Sequence, residues 1–211
     1  MRFHHVCEVG VYLPETSNIL DFIQDGVRST LVEADMDIVE KIKDYFKECN
    51  IKIFPVAAWK NNGTIKLSRA AASTFVTELK WSPAVINDKY KICEEDNFEV
   101  PCMIFSDIDD GTIDLLSIDI EGSEWYVLKY LKSRPAVISV ETHGKYYTNP
   151  FIAEIKEWMM SENYIPWYKN NSDTVFVKKN IIVPDINDKI ETRLVELKLI
   201  WKNFTKHFSK V

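Results

Sequence analysis

The chain has 211 residues, nearly half of them apolar, which is enough for one domain with a sizeable core. A net charge of −6 argues against a sequence-independent grip on phosphate backbones, so nucleic acid is not an expected partner. Cys7, Cys49, Cys93 and Cys102 form no CxxC pair and read as reduced thiols. No signal peptide and no bilayer-spanning apolar run is predicted, so a cytoplasmic protein is expected.

In chain order, "HVCEVGV" (5–11) is short, apolar and β-branched, as in a buried strand. "PETSNILDFIQDG" predicts a helix capped by Thr16 or Ser17 and closed by Gly26. "STLVEAD" (29–35) is a second strand, "MDIVEKIKDYFKEC" (36–49) a helix, and "IKIFPVAAW" (51–59) a third strand. After a turn at 61–63, "TIKLS" predicts a short strand, and residues 68–100 show no clear period. "TIDLLSIDI" (112–120), "SEWYVLKYLKS" (123–133), "AVISVETH" (136–143) and "FIAEIKEWMMSEN" (151–163) continue the alternation of strand and helix. "YIPWYKN" and "DTVFVKK" predict a closing hairpin over 164–179. The expected fold is α/β, with a mostly parallel, Rossmann-like sheet, an antiparallel closing hairpin and a long C-terminal helix. The expected division is a domain over 1–185 and a helix over 186–211.

Four predicted strands end in charged or polar residues: Glu8 with Gly10, Glu33 with Asp35, Asp119 with Glu121, and Glu141 with His143. In an open α/β sheet, ligands bind beyond the carboxyl ends of the strands. Buried carboxylates without partners are costly, so several at one cleft point to ligand hydroxyls, a cation, or both. Glu33 follows Gly10 by about one βαβ step, the usual place of a ribose acceptor. The first loop, "EVGVYLPETS", has a single glycine, which disfavours the pyrophosphate of NAD or FAD more than a phosphate-free S-adenosyl ligand.

"LLSIDIEGSEWYVLKYL" resembles the D-x-E-G-x-E signature of FkbM-type methyltransferases, which are S-adenosylmethionine-dependent O-methyltransferases. "VCEVGV", "LVEAD", "FPVAAWKNNGTIKL", "AVISVETH" and "ENYIPWYKNNSDTVFVKK" resemble further family segments, in family order, over residues 5–179. The resemblance implies a class I methyltransferase sheet and a cofactor site. Glu8 and Gly10 would line the methionine end, Glu33 would hold the ribose with Asp35 nearby, and Val56 and Ala57 would flank adenine. Asp119 and Glu121 would face the reacting centre.

Methyl transfer to an alcohol, on a sugar, glycan or secondary metabolite, needs a base or a metal that lowers the pKa of the hydroxyl. Strand alternation puts Asp119 and Glu121 on one side if the extended geometry persists. The pair, with Glu141, could hold Mg²⁺ through oxygen ligands, or one acid could act as base. For Glu121, and above all for Glu124, the competing reading is a first-turn acid facing a helix dipole. His143 is a candidate base or else a solvated strand-end residue. His4 and His5 fall at the opposite end of the sheet. Trp59, Trp81, Trp125, Tyr146 and Tyr147 could stack on substrate or simply pack. A cofactor-binding module without catalysis and a nucleotide-sugar or NAD enzyme are the competing functions.

In the last segment, Ile190, Leu194, Leu197, Trp201, Phe204 and Phe208 recur at steps of four and three, with Lys198, Lys202, Lys206 and Lys210 on another face. Such a helix could dock on its own domain, pair two copies as a homodimer, or lie on a membrane surface.

Overall fold

The computed structural model describes residues 2–70, 73–79, 81–87 and 89–208, with Ile200 and 202–208 described by their backbone alone. The first half runs β1 (His5–Val9), α1 (Leu20–Gln24), β2 (Arg28–Val32), α2 (Met36–Tyr45), β3 (Ile51–Phe54), β4 (Ala57–Ala58), β5 (Gly63–Ala70), β6 (Ser73–Val76), α3 (Pro83–Asn87) and β7 (Asn97–Met103). The second half runs β8 (Leu115–Ile118), α4 (Glu124–Lys129), β9 (Val137–Glu141), α5 (Ile152–Ser161), β10 (Tyr164–Lys169), β11 (Asp173–Lys178) and α6 (Ile186–Phe208).

Seven strands form the main sheet in the order β10-β11-β9-β8-β1-β2-β3. β1 is buried at every residue because it is central, paired in parallel with β2 on one side and β8 on the other. β2–β3 and β8–β9 are also parallel, while β11 runs antiparallel to both β9 and β10. The expected mixed sheet with a closing hairpin is therefore present.

The stretch without a clear period contributes β6 and parts of β5 and β7 to a second sheet, ordered β4-β7-β5-β6, and the strand expected at "TIKLS" lies within β5. Its long strand β5 alternates, with Ile65 and Leu67 inward and Thr64 and Lys66 outward. The single expected strand over 51–59 is split, since β3 ends at Phe54 and Ala57–Ala58 leave to pair with Cys102–Met103. Helix α1 starts later than expected, at Leu20, behind a 3-10 turn over Pro14–Thr16. Neither Thr16 nor Ser17 caps it. The Ser17 hydroxyl instead donates to the buried Glu8 carboxylate, which is the stronger acceptor.

Strand β10 lies at the sheet edge and carries Pro166 beside an irregularity in its pairing. An open edge invites pairing with another chain, and helix α6 packs against this one. The Trp167 indole donates to Asp188 at 3.0 Å, and the Thr192 hydroxyl donates to the Trp167 carbonyl at 3.0 Å. Lys169 and Glu196 pair at 3.6 Å. Ile190, Leu194, Leu197 and Trp201 remain exposed on the helix. The side chains of Lys202, Phe204, Lys206 and Phe208, and all of Lys210, lie outside the described residues. Among the described residues no helix is long and apolar enough to cross a membrane.

Candidate active site

Three ladder-like hydrogen bonds align the ends of the central strands. The Asp119 amide donates to the Val9 carbonyl at 2.9 Å, the Gly10 amide to Val32 at 2.9 Å, and the Glu33 amide to Phe54 at 3.1 Å. Asp119, Gly10 and Glu33 therefore stand in a row just past the carboxyl edge of the parallel sheet. The row forms the floor of a cleft of about 260 Å³. Glu8, Val56, Ala57 and Glu121 also line the cleft, and β5 and β6 of the second sheet supply Leu67 and Ser73–Val76.

Gly10 is required by contact. Its φ is +85°, and a Cβ there would sit 1.8 Å from the Asp119 carbonyl oxygen. The first loop thus needs one glycine where it crosses the end of β8.

The chain itself uses the two acids of the first two strands. The Glu8 carboxylate accepts from the Ser17 hydroxyl at 2.5 Å and from the Asn18 amide at 2.8 Å. Burial, opposed by those two bonds, pushes its carboxyl up to about 7. Glu33 accepts from the amides of Val11 (3.1 Å), Tyr12 (3.2 Å) and Asp35 (2.9 Å), so it ties down the first loop. Burial raises its carboxyl too, and the same amides restrain the rise. Asp35 stands outside the cleft lining, where it caps α2 through the Asp37 amide at 3.0 Å and pairs with Arg69 at 2.6 Å.

The turn after β8 departs from the expected geometry. The strand ends at Ile118, and Glu121 and Gly122 take φ of +56° and +106°. Alternation therefore does not carry from Asp119 to Glu121, because a left-handed residue breaks the extended path. Glu124 holds this turn. It is fully buried, accepts from the Ile120 amide at 3.1 Å and the Gly122 amide at 3.0 Å, and takes a third bond from Asn149 at 2.5 Å. It lies in the first turn of α4, as expected, yet it is no solvated dipole partner.

Carboxylate oxygens of Asp119, Glu124 and Glu141 come within 4.8 Å of one another. The expected metal set of Asp119, Glu121 and Glu141 is thus replaced at Glu121 by Glu124. Burial and the neighbouring Glu121, Glu124 and Asp173 charges hold the Asp119 carboxyl well above the usual carboxylate range, although its tip reaches the water of the open cleft. Burial, then the Asp119, Glu124 and Glu121 charges, push Glu141 up to about 11, and burial pushes Glu124 up to about 7. His143 is not in the cleft lining. Its Nε2 donates to the Asn170 carbonyl at 3.1 Å, and its Nδ1 shares a hydrogen bond with the Thr142 hydroxyl at 2.9 Å. These contacts fix it against the closing hairpin. His5, at the other end of β1, is likewise engaged, by Thr30 and Thr112 at 2.8 Å each.

The family described as Methyltransferase FkbM domain matches residues 8–166. The chain belongs to the FkbM methyltransferase family. No curated protein has a matching sequence. Among solved structures, a methyltransferase FkbM from Methylobacillus flagellatus KT aligns at 14% identity and a TM-score of 0.53. The alignment covers 84% of this chain and 44% of the other, so this chain spans less than half that protein's length. The methyltransferase domain of bacterial CtHen1-C aligns over 83% of this chain and 90% of its own at 13% identity, with a TM-score of 0.43. The fold of this FkbM chain is methyltransferase-like α/β, with a mostly parallel sheet and a C-terminal helix.

Nothing in the sequence marks Asn149, which arrives through an irregular loop; Glu124 reads there as a helix-dipole acid, although the last acid of D-x-E-G-x-E was a usable signal for its role, and Tyr147 takes the packing alternative expected for it. Tyr147 packs its hydroxyl against the Gly122 turn and is 2% exposed. Trp59 is buried, Trp125 is partly buried against the core, and Trp81 is exposed.

Glu8 sets a pH dependence for stability. Unfolded, its carboxyl ionises near 4.5, and folded near 7, so between these values the folded chain binds more protons. Its contribution is complete below about 4.5 and lost as pH rises through about 7. Melting temperature should fall over this window, and Glu8→Gln should make the fall shallower; superimposable pH profiles for mutant and wild type would contradict this assignment.

Proposed function

We propose that the chain is an S-adenosylmethionine-dependent O-methyltransferase acting on a hydroxyl of a sugar, glycan or secondary metabolite. The observation that carries this reading is the row of Asp119, Gly10 and Glu33 along one cleft at the carboxyl edge of the sheet. Family membership and the 3-2-1-4-5-7-6 strand order, counting only the main sheet, support a class I, Rossmann-like methyltransferase.

The residues present fit such a cofactor. The cleft is acidic and suits a sulfonium, and its loop has no glycine-rich cradle for phosphates. Glu33 lines the cleft at the end of β2, where a ribose hydroxyl would approach it beside the amides it already holds. When bound, the cofactor supplies a methyl on positively charged sulfur, which an acceptor oxygen takes while the electron pair stays on sulfur. Glu8 and Gly10 line its methionine end, and Val56 and Ala57 flank its adenine. Asp119 faces the reacting centre, where its water-reachable carboxylate receives the acceptor's hydroxyl proton. Glu121, beside it on the cleft wall, orients the acceptor.

Calorimetry should show saturable binding of S-adenosylmethionine and S-adenosylhomocysteine, and none of NAD. Hydrogen bonds to a carboxylate are worth about 1.5–3 kcal/mol, so Glu33→Ala should weaken binding about tenfold or more. Binding of neither S-adenosyl compound by wild type would defeat the reading.

We further infer that α6 joins two copies. Its docked side faces β10, and Ile190, Leu194, Leu197 and Trp201 are each about half exposed or more on another side, at steps of four, three and four. A self-complementary stripe of this kind closes around a two-fold axis. Light scattering should find a dimer that the double change Leu194→Glu, Leu197→Glu converts to a monomer. A wild-type chain that stays monomeric at high concentration would overturn the inference.

A further inference from the structure

We propose that Asp119, Glu124 and Glu141 form a binding site for a hard divalent cation. Three carboxylate oxygens, one from each, lie within 4.8 Å of one another. Three oxygens spread evenly around one ion are at most about 4.0–4.5 Å apart for Ca²⁺ and about 3.5–3.6 Å for Mg²⁺. The 4.8 Å limit therefore puts the cluster within a small closure of a Ca²⁺-sized ion and a larger one of Mn²⁺ or Mg²⁺. An all-oxygen, all-carboxylate donor set selects hard cations over softer, nitrogen- or sulfur-preferring metals.

An acidic cluster alone would not mark a site, but here a buried side chain points to a missing partner. Glu141 is 7% exposed, and its Oε2 has no hydrogen-bond partner among the described residues. Nor does any ion pair of the described residues involve Asp119, Glu124 or Glu141. The Tyr147 hydroxyl, beside the Gly122 turn, is a second buried polar atom without a partner. Most buried polar atoms in native proteins have a partner, so an unpartnered Glu141 oxygen among three converging acids points to a ligand that brings positive charge.

The three acids are also differently mounted, as an ion site requires. Glu124 is fixed by the Ile120 and Gly122 amides and by Asn149, and Glu141 is fixed at the end of β9, with its own carbonyl bonded to Asn149 at 3.2 Å. Asp119 is the member that reaches the cleft, so it gives an ion a route in from solvent. Any part of the ion in activating an acceptor hydroxyl rests on the methyl-transfer reading, but its binding does not.

The test uses chelator-treated full-length protein without S-adenosylmethionine, titrated with Ca²⁺, Mg²⁺ and Mn²⁺ by calorimetry, and with Mn²⁺ by electron paramagnetic resonance. One ion per chain should bind saturably. Glu141→Gln and Asp119→Asn should each weaken Mn²⁺ binding at least tenfold while melting no lower than ion-free wild type, because each removes a crowded carboxylate. If Glu141→Gln fails to fold, Asp119→Asn at the water-facing end carries the comparison. Absence of saturable binding of all three ions, or wild-type affinity in the folded variants, would overturn the site. Neither result bears on S-adenosylmethionine binding, which the calorimetry of the preceding section reads separately.

Discussion

The crowding of carboxylates past one edge of the parallel sheet is the constraint around which this structure is arranged. Two ionised carboxylates at the 4.8 Å limit seen among Asp119, Glu124 and Glu141 repel by about 3–4 kcal/mol at an effective dielectric constant of about 20. Glu121 and Asp173 add to the field at Asp119 and Glu141. Such a cluster persists only where protons, a cation or a cationic ligand offset it, and where the backbone cannot relax away. The ladder bond from Asp119 to Val9 and the amide bonds to Glu124 supply the second condition. A positively charged ligand is the natural complement to the first.

The same acids are scaffold and site at once. Glu33 ties the first loop to the end of β2, and Glu8 anchors the entry to α1 through Ser17 and Asn18. Gly10 passes under the Asp119 carbonyl with no space for a side chain. One glycine and two buried glutamates thus shape a loop that a nucleotide-binding protein would build from several glycines. The result is a cleft lined by carboxylates at the sheet edge, with Leu67 and Ser73–Val76 of the second sheet facing it.

Much of this was legible in the sequence. The apolar runs at 5–11, 29–35 and 112–120 announce buried central strands because a parallel strand is covered on both faces. Their acidic ends announce Glu33 and Asp119 of the row at the sheet edge, and Glu8 beside it. Three things were hidden, each for a physical reason. Apart from the strand expected at "TIKLS", which lies in β5, the second sheet rests on long-range pairings, such as Ala57 with Cys102, that leave no local period. The left-handed turn at Glu121 takes that side chain off the strand's alternation and brings Glu124 inward, a change decided by the turn's conformation and by Asn149 arriving from a distant loop. His143, reasonable as a base by position, lies outside the cleft lining and bonds the Asn170 carbonyl of the closing hairpin, a contact that needs the tertiary fold to exist.

The FkbM family assignment and the acid-lined cleft converge on one claim, that this sheet edge holds an S-adenosyl ligand through its strand-end carboxylates. A crystal structure of the chain with S-adenosylhomocysteine tests it most directly. The account predicts the ligand in the cleft, with ribose on Glu33, adenine beside Val56 and Ala57, and sulfur on the Asp119 side. A ligand seated elsewhere on the chain, or seated in the cleft with its ribose away from Glu33, would contradict it.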